Sequence, residues 1–306
     1  MKKILRVGTR GSKLALAQTG WVITQIRKRF PDLAVDTVII KTKGDKITDV
    51  PLARIGGKGL FVKEIEEALL REEIDLAIHS LKDVPSELPR GLELVAFPER
   101  EDPRDALIGS GVKSILDLPR GARVGTSSLR RQAQLRRLRP DLQILPLRGN
   151  VDTRLRKLQE GQYEAILLAE AGLRRLGISV KRVSLSTEEM LPAVGQGILA
   201  LEIRSDDVET REIVSFLHHP ETAFCAQAER AFLRRMEGGC QVPLAAHARL
   251  SDGQLHLEGF IADPEGRRFY REGLTGSPQE AEDLGFRLAE ILLSRGGREI
   301  LEELLS

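Results

Sequence analysis

At 306 residues the chain is too long for one ordinary domain, and two or three are expected. A net charge of +2 with 4% aromatic residues argues against a nucleic-acid stacking platform, and Cys225 and Cys240 alone build no disulfide framework. No run approaches the ~18 apolar residues of a membrane span, and the opening Met1-Lys2-Lys3-Ile4-Leu5-Arg6 lacks the apolar core of a signal peptide, so a cytoplasmic protein is expected.

Along the chain, Leu5-Arg6-Val7 predicts a short strand, Gly8–Ser12 a turn, and Leu14, Ala17, Trp21, Val22 and Ile26 one face of a helix. Val35–Lys41 is strand-like, and Phe61, Ile65, Ala68 and Leu69 mark a helix starting near Gly59. Strands follow at Ile74–Ile78 and Leu92–Phe97. Strands separated by amphipathic helices predict a largely parallel, doubly wound sheet. After the charged stretch Pro98–Pro103 the opening device repeats, with Val124-Gly125-Thr126-Ser127-Ser128 leading into a helix. Gln143–Leu147 and Ala165–Leu168 predict further strands and Asp152–Glu160 a helix, which suggests two similar α/β lobes. Gly197–Ile203 and Val208–Leu217 form a late strand–helix piece that returns to the first lobe. A helix over Thr222–Arg235, three strands (Leu244–Leu250, Gln254–Ala262, Arg268–Arg271) and helices over Gln279–Ser294 and Arg298–Leu304 predict a small α+β domain. The expected domains are therefore 1–98 with 198–217, 103–193, and 220–306.

The small net charge hides an asymmetry. Between Arg120 and Arg182 there are 15 basic and 5 acidic residues, a net of +10 that leaves −8 for the rest. Segregation of that size points to an anion held by the middle segment. Gly125–Arg131 is the best local anion site, with hydroxyls at the expected N-cap and Arg130 and Arg131 in the first turn. Arginine there opposes the helix dipole, so another reason, such as bidentate carboxylate recognition, is needed. Arg148, Arg154 and Arg175 follow later strand ends, and Arg10 and Ser12 occupy the matching turn of the first lobe. Ligands of doubly wound sheets gather at such ends. Arg136, Arg137, Arg156 and Lys157 fit a solvated face better.

Gly56-Gly57-Lys58-Gly59 lacks the spacing of a phosphate-binding loop and fits a mobile lid. Lys82-Asp83 after a buried strand is a catalytic candidate, whereas His79 reads as a structural histidine. The histidines and cysteines have no metal-ligand spacing. Cys240, in a glycine loop, has room for something bulky at its sulfur, and Cys225 fits an inert place on an apolar helix face.

The motifs Val7–Ser12, Gly56–Phe61, His79–Pro85, Glu101–Ala106, Gly125–Arg131, Leu147–Asn150, Leu191–Gly197 and Glu237-Gly238-Gly239-Cys240-Gln241-Val242-Pro243 together resemble the porphobilinogen deaminase (hydroxymethylbilane synthase) family, in its order and over most of the chain. The resemblance implies an α/β fold of two doubly wound lobes like type II periplasmic binding proteins, plus a small α+β C-terminal domain. It implies a dipyrromethane cofactor joined by a thioether to Cys240. Four porphobilinogen molecules are then condensed with loss of ammonia, and linear hydroxymethylbilane is released by water. Polyanionic pyrrole chains explain the arginines, and a carboxylate against pyrrole N–H groups stabilises the charge that develops as ammonia leaves. By the same carry-over Asp83 is catalytic and also touches the cofactor. Lys82, Ser128, Arg130 and Arg131 bind cofactor carboxylates, and Arg10, Ser12, Phe61, Arg148, Arg154, Arg175 and Gln196 face substrate. Lys58 belongs to the lid. A cytoplasmic monomer without metal, nucleic acid or membrane partner is implied. Arg54 and Glu170 depart from the family's usual residues, and Glu170 is placed to pair with Arg174.

A solute-binding protein shares the two-lobe architecture but needs neither Cys240 nor a third domain. A nucleic-acid binder would need stacking groups, and the basic segment has one aromatic, Tyr163.

Overall fold

The computed structural model describes residues 2–42, 59, 62–236 and 242–305. Lys58, Phe61 and Cys240, and the departure at Arg54, lie outside the described residues. The first stretch holds β1 (Ile4–Thr9), α1 (Lys13–Arg29), β2 (Ala34–Ile39), α2 (Lys63–Leu70), β3 (Leu76–Ser80) and β4 (Leu92–Ala96). Next come β5 (Asp105–Gly109), β6 (Arg123–Gly125), α3 (Leu129–Leu138), β7 (Gln143–Leu145), α4 (Val151–Gln159), β8 (Ala165–Ala169), α5 (Glu170–Arg175) and β9 (Val183–Ser184). The last part runs β10 (Leu199–Arg204), α6 (Val208–Val214), α7 (Pro220–Arg235), β11 (Leu244–Ser251), β12 (Gln254–Ala262), β13 (Phe269–Gly276), α8 (Ala281–Leu292) and α9 (Arg298–Leu305).

Leu5 and Val7 point from β1 into a core shared with Val22, Ile23 and Ile26 of α1, the helical stripe legible in the sequence. Ser12 starts that helix, its hydroxyl accepting the Ala15 N–H at 3.3 Å. The first sheet has the order β2-β1-β3-β10-β4 and the second β7-β6-β8-β5-β9. In each, one strand runs antiparallel to its neighbours: β10 against β3 and β4, and β5 against β8 and β9. The α/β class and the late return to the first sheet are as expected, but both sheets are mixed rather than largely parallel. The crossover helices α1, α3 and α4 make β1/β2, β6/β7 and β6/β8 parallel, whereas no single crossover helix leads from β3 to β10 or from β5 to β8.

The repeated Val-Gly-Thr device has a steric cause. A Cβ on Gly8 would meet Ile74 Cδ1 at 2.3 Å, and one on Gly125 would meet Tyr163 Cδ1 at 2.9 Å. Both glycines make room for a neighbouring side chain.

The third sheet, β11-β12-β13, is an antiparallel meander. Its core gathers Phe232 and Cys225 of α7, Leu257 and Ile261 of β12, and Leu288 and Leu292 of α8. The first sheet belongs to one compact unit, and the second and third belong to another. Within the latter, Arg136 hydrogen-bonds the Pro264 carbonyl, and the Arg137 guanidinium lies 4.6 Å from the Phe269 ring centre. Those two arginines, expected on a solvated face, reach the third sheet. Arg156 is exposed and pairs with Glu160 at 2.8 Å, as a solvated face requires.

Candidate active site

In the first lobe β3 ends at Ser80, and a single 3-10 turn over Leu81–Asp83 carries Lys82 and Asp83 into solvent, both exposed. The Val84 N–H, donating to Leu81 O, closes that turn, and buried Leu81 and Val84 anchor it. Arg10, Ser12, Gln18, His79, Ser80 and Asp83 line one pocket of about 50 Å³. The predicted substrate residues Arg10 and Ser12 are thus brought to the predicted catalytic Asp83. Gln18 Nε2 donates to Ser80 Oγ at 2.9 Å and joins α1 to the end of β3. Neither was singled out from the sequence; Gln18 sits on the inner stripe of α1, nearly two turns past the N-cap. His79 Nε2 lies 2.9 Å from Glu202 Oε2, so it is half of a buried pair.

The second lobe is built differently. Ser128 is the N-cap of α3, its hydroxyl 3.5 Å from the Arg131 N–H. Arg130 and Arg131 are each only 6% exposed and converge on Asp105, which is 0% exposed. Arg130 Nη1 donates to Asp105 Oδ2 at 2.7 Å and to Leu191 O at 2.7 Å. Arg131 Nη2 reaches Asp105 Oδ1 at 2.7 Å, and its Nη1 reaches Leu167 O at 2.9 Å. Burial pushes the Asp105 carboxyl up, but the charges of Arg130 and Arg131 and their hydrogen bonds outweigh it and hold the group well below the usual carboxylate range. Burial pulls Arg130 below the usual arginine value, with Asp105 opposing.

The carboxylate that explains two arginines in a first helical turn is therefore, in the first instance, the protein's own. Two cations against one anion leave a positive charge over, and Arg131 Nε is buried with no hydrogen-bond partner. That orphaned donor is the feature that fits an added carboxylate. Gln196, expected at substrate, donates its amide hydrogens to Asp105 Oδ1 at 2.8 Å and to Pro103 O at 2.7 Å.

Two neighbouring turns are tied together by a residue that sequence reasoning passed over. Ser127 Oγ donates to Leu147 O and accepts from Leu147 N–H, each at 3.1 Å, which sets Arg148 beside the start of α3. Gly149 then turns with φ +107, where a Cβ would also meet Thr153 Cγ2 at 2.7 Å. Asn150 caps α4, accepting from Thr153 N–H at 2.9 Å. Arg154 Nε donates back to Gly149 O at 2.8 Å. Arg148, Arg154 and Arg175 are all half-buried. Glu170 pairs with Arg174 at 3.3 Å as its spacing predicts, but Arg182 holds it more closely at 2.7 Å. Arg174 also reaches Asp102 at 2.8 Å, so this departure completes a chain of alternating charges.

Among the described residues no group of His, Cys, Asp and Glu could hold a metal ion, and no helix is long and apolar enough to cross a membrane. Residues 5–212 match the family model described as porphobilinogen deaminase, dipyromethane cofactor binding domain, and residues 223–294 match that of the porphobilinogen deaminase C-terminal domain. The protein named porphobilinogen deaminase from Geobacter sulfurreducens is 57% identical over 98% of this chain and 94% of its own length. That of Geobacter metallireducens is 56% identical over 98% and 95%, and that of Syntrophobacter fumaroxidans 52% over 99% and 98%. A probable amino-acid ABC transporter extracellular-binding protein from Bacillus subtilis overlaps 71% of this chain and 90% of its own, with a TM-score of 0.46 and 12% identity.

Proposed function

The chain belongs to the porphobilinogen deaminase family, and from that premise we propose how its residues divide the work. It is a transferase of tetrapyrrole biosynthesis that condenses four porphobilinogen molecules head to tail, releasing ammonia and then linear hydroxymethylbilane. A two-lobed anion-binding protein without catalysis is not favoured. The dipyrromethane cofactor of the family, when bound, supplies a free pyrrole α-carbon as the first acceptor.

Asp83 is the catalytic carboxylate in this proposal. Its exposed position lets it meet pyrrole N–H groups, and its charge stabilises the cation that spreads over those nitrogens as the amine departs. Arg10 and Ser12 line the same pocket and receive an acetate or propionate of the incoming porphobilinogen. Ser128, Arg130, Arg131 and Lys82 hold cofactor carboxylates. Asp105 cancels one of the two buried charges and fixes both guanidinium planes, which leaves one positive charge and the unpartnered Arg131 Nε for a carboxylate that opens a way to them. Gln196 acts on Asp105, while Arg148, Arg154 and Arg175 take further substrate carboxylates. Phe61 and Lys58 belong to substrate and lid, and Cys240 carries the cofactor through a thioether. Buried Cys225, within the α7 core, keeps a packing role. Three domains (1–98 with 198–217, 103–193, 220–306) in a cytoplasmic monomer complete the proposal.

The observation that carries this reading is the shared pocket of Arg10, Ser12 and Asp83. Intact mass spectrometry of the native protein tests the attachment. An adduct of two pyrrole units is expected, kept in Cys225→Ser and lost in Cys240→Ser. A bare polypeptide in active enzyme, or an adduct that follows Cys225, refutes it.

A further inference from the structure

Beside the pocket, the first lobe buries titratable groups with no role in the scheme above. The His79 and Glu202 side chains are 4% and 0% exposed. Glu66 of α2 is 6% exposed, and α2 packs on β3 and β10. Glu66 Oε1 and Glu202 Oε1 are both buried without a hydrogen-bond partner. Among the described residues no arginine or lysine donates to either carboxylate. The groups acting on Glu66 are Glu202 from β10, His79 from β3 and Glu67 on α2 itself. The first-lobe core presents apolar Val38, Ile40 and Leu92 to the same helix. Arg10 and Asp83 stand around the pocket that His79 lines. Burial first, then the Glu202 charge, pushes Glu66 up to about 7, with His79 opposing.

A purely structural site gains nothing from two orphaned carboxylate oxygens, since a glutamine or leucine fills the same space without them. Unpartnered acceptors beside the carboxylate proposed to react suit proton storage.

We propose that His79, Glu202 and Glu66 form a buried proton store that serves the condensation through Asp83. In each condensation the C–N bond of the aminomethyl group breaks and a C–C bond forms to a pyrrole α-carbon. That carbon then loses its proton, and the released ammonia leaves as ammonium. The proton passes from the α-carbon to Asp83, then through the pocket to His79 and the carboxylate pair, and finally back through Asp83 to ammonia. The pocket has room for a bridging water. These three are positioning residues, acting through Asp83 and not touching the reacting atoms. The step therefore rests on the role given to Asp83.

Infrared titration of the wild-type holoenzyme, with Glu66→Gln as the assignment control, is the first test. A carboxylic-acid C=O band is expected that fades as pH rises through about 7 and is missing from the variant. The absence of such a band in wild type overturns the store whether or not any variant folds. The second test is the pH profile of kcat. A group titrating near 7 is about ten times more ionised at pH 8 than at pH 6. Wild-type kcat should rise over that range, while Glu66→Gln should be flat and lower by about ten-fold at pH 8. A variant profile parallel to wild type refutes the relay. Normal turnover in Asp83→Asn instead refutes the role of Asp83 and leaves the infrared band untouched.

Discussion

Each lobe buries a carboxylate near its strand-end turns, and the two have opposite fates. Asp105 meets two arginines at 2.7 Å and is held ionised. Glu66, to which no arginine or lysine donates among the described residues, lies near a second acid, and burial with that charge pushes it up to about 7 against His79. Burial acts on both in the same direction, so the partners decide the outcome. In the roles proposed above, the second lobe is a fixed positive template for carboxylates and the first a place where protons move. One fold element repeated twice has been given two kinds of chemistry.

Breaking the ionised side should cost most. Asp105→Asn strands two buried guanidinium groups, and a loss of about 3–5 kcal/mol in denaturant unfolding is expected near neutral pH. Because the folded carboxyl titrates lower than the unfolded one, its contribution is complete above the usual carboxylate range and is lost as pH falls through the folded value. The gap between variant and wild type should therefore narrow in acid; a gap that widens there would contradict the ion pair.

Asp83→Asn removes charge with little change of shape, and turnover should fall about 10²–10³-fold with cofactor retained. Near-normal single-turnover rates would move the electrostatic role elsewhere. Glu66→Gln probes the other carboxylate by stability. Here the folded group titrates higher than the unfolded one, so stability is full below about pH 4.5 and is lost as pH rises through about 7. The variant should be more stable than wild type at pH 8, by about 1–3 kcal/mol, with the advantage gone at pH 5. Thermal melts at the two pH values decide it. The smallest effect belongs to Ser127→Ala, which unties Leu147. About 1 kcal/mol of stability should be lost, with KM rising more than kcat falls, and an unchanged KM would disconnect Ser127 from Arg148.

Much of this arrangement could be read from the residues. The sequence places Arg10 and Ser12 at one strand end and Asp83 at another, and those places share a pocket. The return of β10 to the first sheet was legible as a late strand–helix piece between the second lobe and the C-terminal pattern. The role of Asp105 was hidden because it follows directly on the charged stretch Pro98–Pro103, which reads as a boundary; it opens the buried strand β5. Glu66 was hidden by its type. On α2 the inner face includes Ile65, Glu66 and Leu69, and a periodicity that counts only apolar residues skips the acid. Ser127 and Gln18 act through single hydrogen bonds across elements, which no one-dimensional pattern encodes.

The placement of β10 also sets an order of events during synthesis. Ala200 pairs with His79 and Ile203 with Glu93, so β10 is an interior strand of the first sheet. Until it leaves the ribosome, β3 and β4 have no partner on their facing edges. The second sheet, whose strands lie within 105–184, is complete before then. The lobe that begins the chain is thus the later one to close, and its unpaired edges are what a chaperone would find to guard.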